Sequence, residues 1–120
     1  MPNSIKHLSM VDLTFLNNFT KGDTTKMRRY ISVFLNVAPE TFGKMKTNIL
    51  NEDWDQLRIN AHSLKPEADY MGIKKLKGAL EKIEHHVTEG DHENAALAFS
   101  QAENIYKMSS TELVKLLQQL

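Results

Sequence analysis

Cysteine is absent from this chain of 120 residues, and proline (3), glycine (5) and tryptophan (1) are scarce. Without thiols there are no disulfide staples and no thiolate metal sites, and the composition fits a reducing compartment, so a cytoplasmic location is expected. The glycines, Gly22, Gly43, Gly72, Gly78 and Gly90, are too dispersed for a phosphate-cradling loop, so an autonomous kinase is not expected. No Gly-x-Ser-x-Gly elbow occurs, and Ser63, beside His62 in sequence, falls on another helix face, which argues against a hydrolase. No segment approaches the ~20 apolar residues needed to cross a bilayer, and the amino terminus lacks the apolar run of a signal peptide. Fifteen basic residues balance fifteen acidic ones. No overall field therefore recruits nucleic acid or an anionic membrane, and recognition by charge must come from a local patch.

What is present is helical periodicity. With 41% hydrophobic residues, the chain is long enough for one domain over residues 1–120, burying roughly two thirds of its unfolded surface. A short first helix is expected from Ser9, capped by its hydroxyl with Asp12 completing a Ser-x-x-Asp signal, to about Gly22. Asp23 caps the next. There Ile31, Leu35, Ala38, Phe42, Met45 and Ile49 keep phase through Pro39, predicting one long helix with a kink, with a break into two at Pro39 as the alternative. Asn51, Glu52 and Asp53 supply capping oxygens for a helix from about Trp54 to Met71, ended by Gly72. Leu76, Leu80, Ile83 and Val87 define a further helix ending near Gly90. Asp91 caps the last, in which Ala95, Phe99, Ala102, Ile105, Ser109, Leu113, Leu116 and Leu120 form the stripe, although Ser109-Ser110-Thr111-Glu112 is also a possible helix start. No period-two run competes. The fold class is all-α: an antiparallel four-helix bundle with a short additional N-terminal helix.

Within the helix after Asp53, Leu57, Ala61, Leu64, Ala68 and Met71 share one stripe at about 100° per residue, while Arg58, His62, Lys65 and Asp69 share a second beside it. The first holds the helix to the core, and the second leaves an imidazole facing water. A neutral imidazole nitrogen is a good nucleophile near neutral pH and can hold a phosphoryl group as a phosphoramidate. Lys65, one turn on, places an ammonium where negative charge gathers, a contact worth ~1 kcal/mol in water and ~4 kcal/mol at intermediate dielectric. Arg58, one turn before, adds to the same field.

The run from His62 to Gly72 resembles the signature of the histidine-containing phosphotransfer family, H-x-L-K-G followed after five more residues by a second glycine. His62, Leu64, Lys65 and Gly72 match, and Pro66 stands in place of the first glycine. The resemblance implies a phosphorelay intermediate, phosphorylated on His62 by the aspartyl phosphate of one response-regulator receiver domain and passing the group to another. Those receivers include the ones carried by hybrid sensor histidine kinases. It further implies that Mg²⁺ sits on the receiver, that this chain binds no cofactor of its own, and that the leading helix and the histidine helix jointly form the docking surface. Val11, Phe15, Pro66, Asp69 and Gly72 are the candidate partner-binding residues, and a monomer is expected. Val11 and Phe15 lie off the stripe of Leu13 and Leu16, so they either expose an apolar patch or pack into the core under another helix rotation.

Two departures from the family pattern count against transfer. Pro66 adds a ring and removes the amide that bonds to the His62 carbonyl, and Asp69 sets a carboxylate on the histidine's own stripe, where it repels an incoming phosphoryl group unless Lys65 or solvent neutralises it. A non-phosphorylated helical adaptor that binds receiver domains or other signalling proteins is therefore the rival reading. Glu81, His85, His86, Glu89 and His92 cluster in sequence, but His-Glu-x-x-His is missing and no metal is expected. His7 has no evident task. Phe34, Phe42, Trp54 and Phe99 have the spacing of core residues.

Overall fold

Aspartate carboxylates start three of the long helices. In the computed structural model, which describes residues 9–120, Asp23, Asp53 and Asp91 accept the amides of Lys26, Gln56 and Asn94 at 3.1, 3.2 and 3.2 Å. Each satisfies one of the open donors of a first turn, as expected. The helices are α1 (Thr14–Phe19), α2 (Thr24–Leu50), α3 (Trp54–Tyr70), α4 (Lys74–Thr88) and α5 (His92–Gln119), with no strand among the described residues. His7 lies outside them.

Burial follows the apolar periodicity. Met27, Ile31, Phe34, Ala38, Phe42 and Met45 are the buried residues of α2; Phe34 is in the core as its spacing predicts, while Leu35 and Ile49 of the predicted stripe are half-buried against the cluster. The helix runs unbroken through Pro39, which lies on its exposed side. Likewise α3 is continuous through Pro66, and α5 is one helix through Ser109, whose hydroxyl donates to the Ile105 carbonyl at 2.8 Å instead of capping a new start. Phe42 stacks on Tyr106 with ring centroids 5.1 Å apart, Phe99 flanks it at 6.0 Å, and Trp54 is half-buried at the edge. The packed pairs are α2 with α3, α3 with α4, α4 with α5, and α5 back with α2, a closed ring around one core.

The leading segment departs from expectation. Helix α1 spans six residues and begins at Thr14, not at Ser9. The Ser9 hydroxyl donates to the Glu112 carboxylate of α5 at 2.5 Å, so the oxygen expected to cap α1 is engaged elsewhere. Asp12 supplies the local turn in its place, accepting the Thr14 hydroxyl at 2.6 Å and the Thr14 amide at 3.0 Å. These two hydrogen bonds, helped by Lys74, hold its carboxyl below the usual range against a small opposing effect of burial. Beside it the Asp12 amide donates to the Gly72 carbonyl at 3.2 Å. Gly72 has φ +65°, and a Cβ built there would lie 1.8 Å from the Asp12 carbonyl oxygen. Only glycine suits both the left-handed turn and this close backbone approach.

Candidate functional site

His62 projects from α3 with 68% of its side chain exposed. Its Nδ1 lies 3.1 Å from Oε2 of Glu84, which α4 brings alongside. The same carboxylate meets Lys65: Nζ approaches Oε1 to 2.8 Å. That oxygen is shut off from water, and the ammonium matches it in distance and charge but not in hydrogen-bond direction. Glu84 thus bridges the two residues that the sequence singles out. Burial opposes its ionisation, but the contacts with Lys65 and His62 outweigh that effect and hold its carboxyl below the ordinary value of 4.5. An ionised Glu84 can only accept, so Nδ1 is the donor in this contact, and in the neutral form of the ring the lone pair is then on Nε2.

Because the folded-state value of Glu84 is depressed, its contribution to stability is fully present above 4.5 and is lost as pH falls through the folded value. The Glu84→Gln variant lacks that linkage. Chemical denaturation across roughly pH 7 to 3 should therefore show the wild-type and variant stabilities converging in acid. Parallel curves would show that the carboxylate is not stabilised by its two partners.

The other candidates are placed differently. Arg58 pairs with Asp55, one turn earlier, at 2.9 Å, so the field it was expected to lend His62 is already met by a carboxylate. Asp69 is balanced by Lys77 of α4 at 3.2 Å, where Lys65 or solvent was expected to neutralise it. Pro66 is exposed on the face that carries His62. The later histidines go to separate contacts: His85 lies against His86, with centroids 5.6 Å apart, and His92 stacks on Trp54 at 4.3 Å. Among the described residues, no three His, Cys, Asp or Glu side chains gather as metal ligands.

The docking candidates divide. Val11 is a core residue at 9% exposure, which removes it from any surface patch, whereas Phe15 is half-exposed. The reason is rotation: with Ser9 to Asp12 outside the helix, Val11 and Phe15 do not share a helical face. Phe15 instead joins residues that the sequence did not point to. Its ring is 5.9 Å from Phe19 and 5.5 Å from Tyr70, and Tyr30 lies 5.7 Å from Phe19 and 6.3 Å from Tyr70. The quartet joins α1, α2 and α3 and leaves Phe15, Phe19 and Tyr30 at 38% exposure or more. Beside it a groove of about 450 Å³ is lined by Asp12, Phe15, Pro66, Asp69, Tyr70 and Gly72 among others. Four of the five candidate docking residues therefore border one surface.

The described residues are all-helical and turn one oriented imidazole toward solvent, which places the chain in the class of small helical proteins whose surface histidine is held by a neighbouring helix. Known proteins make the class specific. The model of one family, the Hpt domain, matches residues 29–120, and the chain belongs to that family. No curated protein matches it. The fold is shared with the X-ray structure of a rice protein assigned as a histidine-containing phosphotransfer protein, at a TM-score of 0.77 and 18% identity over 98% of this chain and 88% of that one. Phosphotransfer within a phosphorelay is accordingly the role of this chain. Among the described residues no helix is long and apolar enough to cross a membrane.

Proposed function

We propose that the chain is a phosphorelay intermediate whose four long helices form an antiparallel bundle and whose His62 accepts a phosphoryl group from the aspartyl phosphate of a receiver domain. The observation that carries this reading is Glu84 bridging Nδ1 of an exposed His62 and the Lys65 ammonium. The Nε2 lone pair forms the N–P bond while the P–O bond to the receiver's aspartate breaks and the carboxylate leaves. The Nδ1 proton stays on the ring, and Glu84 offsets the positive charge that the imidazole acquires. Reversal on a second receiver returns the group to an aspartate. Mg²⁺ belongs on the receiver. Phe15, Pro66, Asp69 and Gly72 border the surface where the receiver docks, and Arg58 lends the nucleophile weaker electrostatic support. The chain acts as a single domain and a monomer in the cytoplasm.

The test is incubation with a panel of phosphorylated receiver domains, followed by detection of acid-labile, base-stable phosphate on this chain. Lys65→Ala should slow the transfer about tenfold with unchanged helicity, because the variant loses both a nearby positive charge and a tether on Glu84. Single-turnover rates equal to wild type at low and moderate salt would remove Lys65 from the mechanism. The adaptor reading draws on a specific observation, that Lys65 and Arg58 are each already paired with a carboxylate. Tight receiver binding without any label on His62 would favour it.

A further inference from the structure

Helix α1 carries half of the aromatic quartet, yet it is poorly equipped to hold itself in place. It has six residues, no side-chain cap at its N-cap position and one buried side chain, Leu16. A helix this short has no stability of its own, so its position must come from the contacts that flank it. On its N-terminal side the Asp12 amide donates to the Gly72 carbonyl at 3.2 Å. Just before it on the same side is a carboxylate clamp: Glu112 of α5 accepts the Met10 amide at 2.9 Å through Oε2, and the Val11 amide at 3.0 Å and the Ser9 hydroxyl at 2.5 Å through Oε1. Three donors from three consecutive residues converge on one half-buried side chain about a hundred residues away in sequence. Hydrogen bonds to an ionised acceptor are roughly twice as strong as neutral ones, and here two successive backbone amides point at one carboxylate.

We infer that Glu112 is a positioning residue for partner docking: its carboxylate pins residues 9–11 to α5 and thereby sets α1, with Phe15 and Phe19, at the edge of the His62 face. The inference rests on the docking reading given above. It assigns Glu112 no contact with the phosphoryl group. An amide cannot replace this carboxylate, because a glutamine oxygen turned to the Val11 amide and Ser9 leaves its own NH₂ facing the Met10 amide.

Three measurements on the full chain test it, with Glu112→Gln as the variant. Amide hydrogen exchange should show protection over α1 falling at least tenfold, with α3 and α4 unchanged. Affinity for a receiver domain that binds the wild-type chain should fall about tenfold, while labelling of His62 by phosphoramidate, which needs no docking face, should stay at the wild-type rate. In a Phe15→Ala, Phe19→Ala background the same substitution should cost little further affinity, since a residue acting through α1 has nothing left to present. Unchanged exchange over α1 overturns the inference, and so does a looser α1 with full receiver affinity or a strictly additive cycle. A loss of protection across all helices together with slow phosphoramidate labelling would make Glu112 a general stability residue, which also overturns it. If no receiver binds the wild-type chain, the docking reading fails by itself and the exchange measurement still decides whether the clamp holds α1.

Discussion

His62→Gln should abolish phosphate uptake from every donor receiver while leaving the bundle folded. The imidazole is largely exposed and contributes nothing to the core stripe, so the substitution removes no buried apolar area. Glutamine can still donate its amide to Glu84, which keeps the carboxylate partnered and avoids the cost of a stranded charge. What it lacks is a nitrogen lone pair able to form the N–P bond. The expected result is a wild-type circular dichroism spectrum and melting midpoint together with no acid-labile label. Label at the wild-type level would place the acceptor on another residue and defeat the assignment of His62.

Gly72→Ala should be the most destabilising single-methyl change in the chain. Two independent costs coincide there: a left-handed backbone that disfavours any side chain, and a Cβ 1.8 Å from the Asp12 carbonyl oxygen, a backbone atom that cannot rotate away. Together they should cost about 2–4 kcal/mol, a fall in melting midpoint of roughly 10 °C for a domain of this size. The displaced element is the leading segment, so exchange over α1 should rise more than exchange in the other helices. Gly78, inside α4, is the contrasting case. A Cβ there meets nothing within 4 Å, and Gly78→Ala should stabilise the fold by about 0.5–1 kcal/mol through helix propensity alone. A neutral Gly72→Ala in the same thermal melts would show that the leading segment is not seated on that turn.

Much of the site was legible because it is local. His62 and Lys65 are three residues apart on one helix, so a 3.6-residue period is enough to bring them to one face, and the stripe from Leu57 to Met71 fixes which face is outward. The aspartate caps and the helix order were readable for the same reason: a cap and its amide are three residues apart. Glu84 was not legible in that way, since it reaches His62 only through the packing of α4 on α3. A signal for it did exist. The short turn after α3 makes the two helices mirror each other about Ile73, and His62 with Glu84, like Asp69 with Lys77, are equidistant from that residue.

By itself the sequence determined the all-helical class, the helix boundaries to within a residue or two beyond α1, the core stripes and the histidine with its lysine. Each is a property of periodicity or of neighbours within one turn, where backbone geometry translates spacing directly into position. Only the tertiary structure decided which carboxylate orients His62, that Lys77 balances Asp69, that Val11 is buried while Phe15 joins Phe19, Tyr30 and Tyr70, and that Ser9 serves Glu112 instead of capping α1. Those choices join residues of different elements. A side chain takes its partner from whatever packing sets beside it, and the burial of about two dozen apolar residues settles that packing before any single polar contact can.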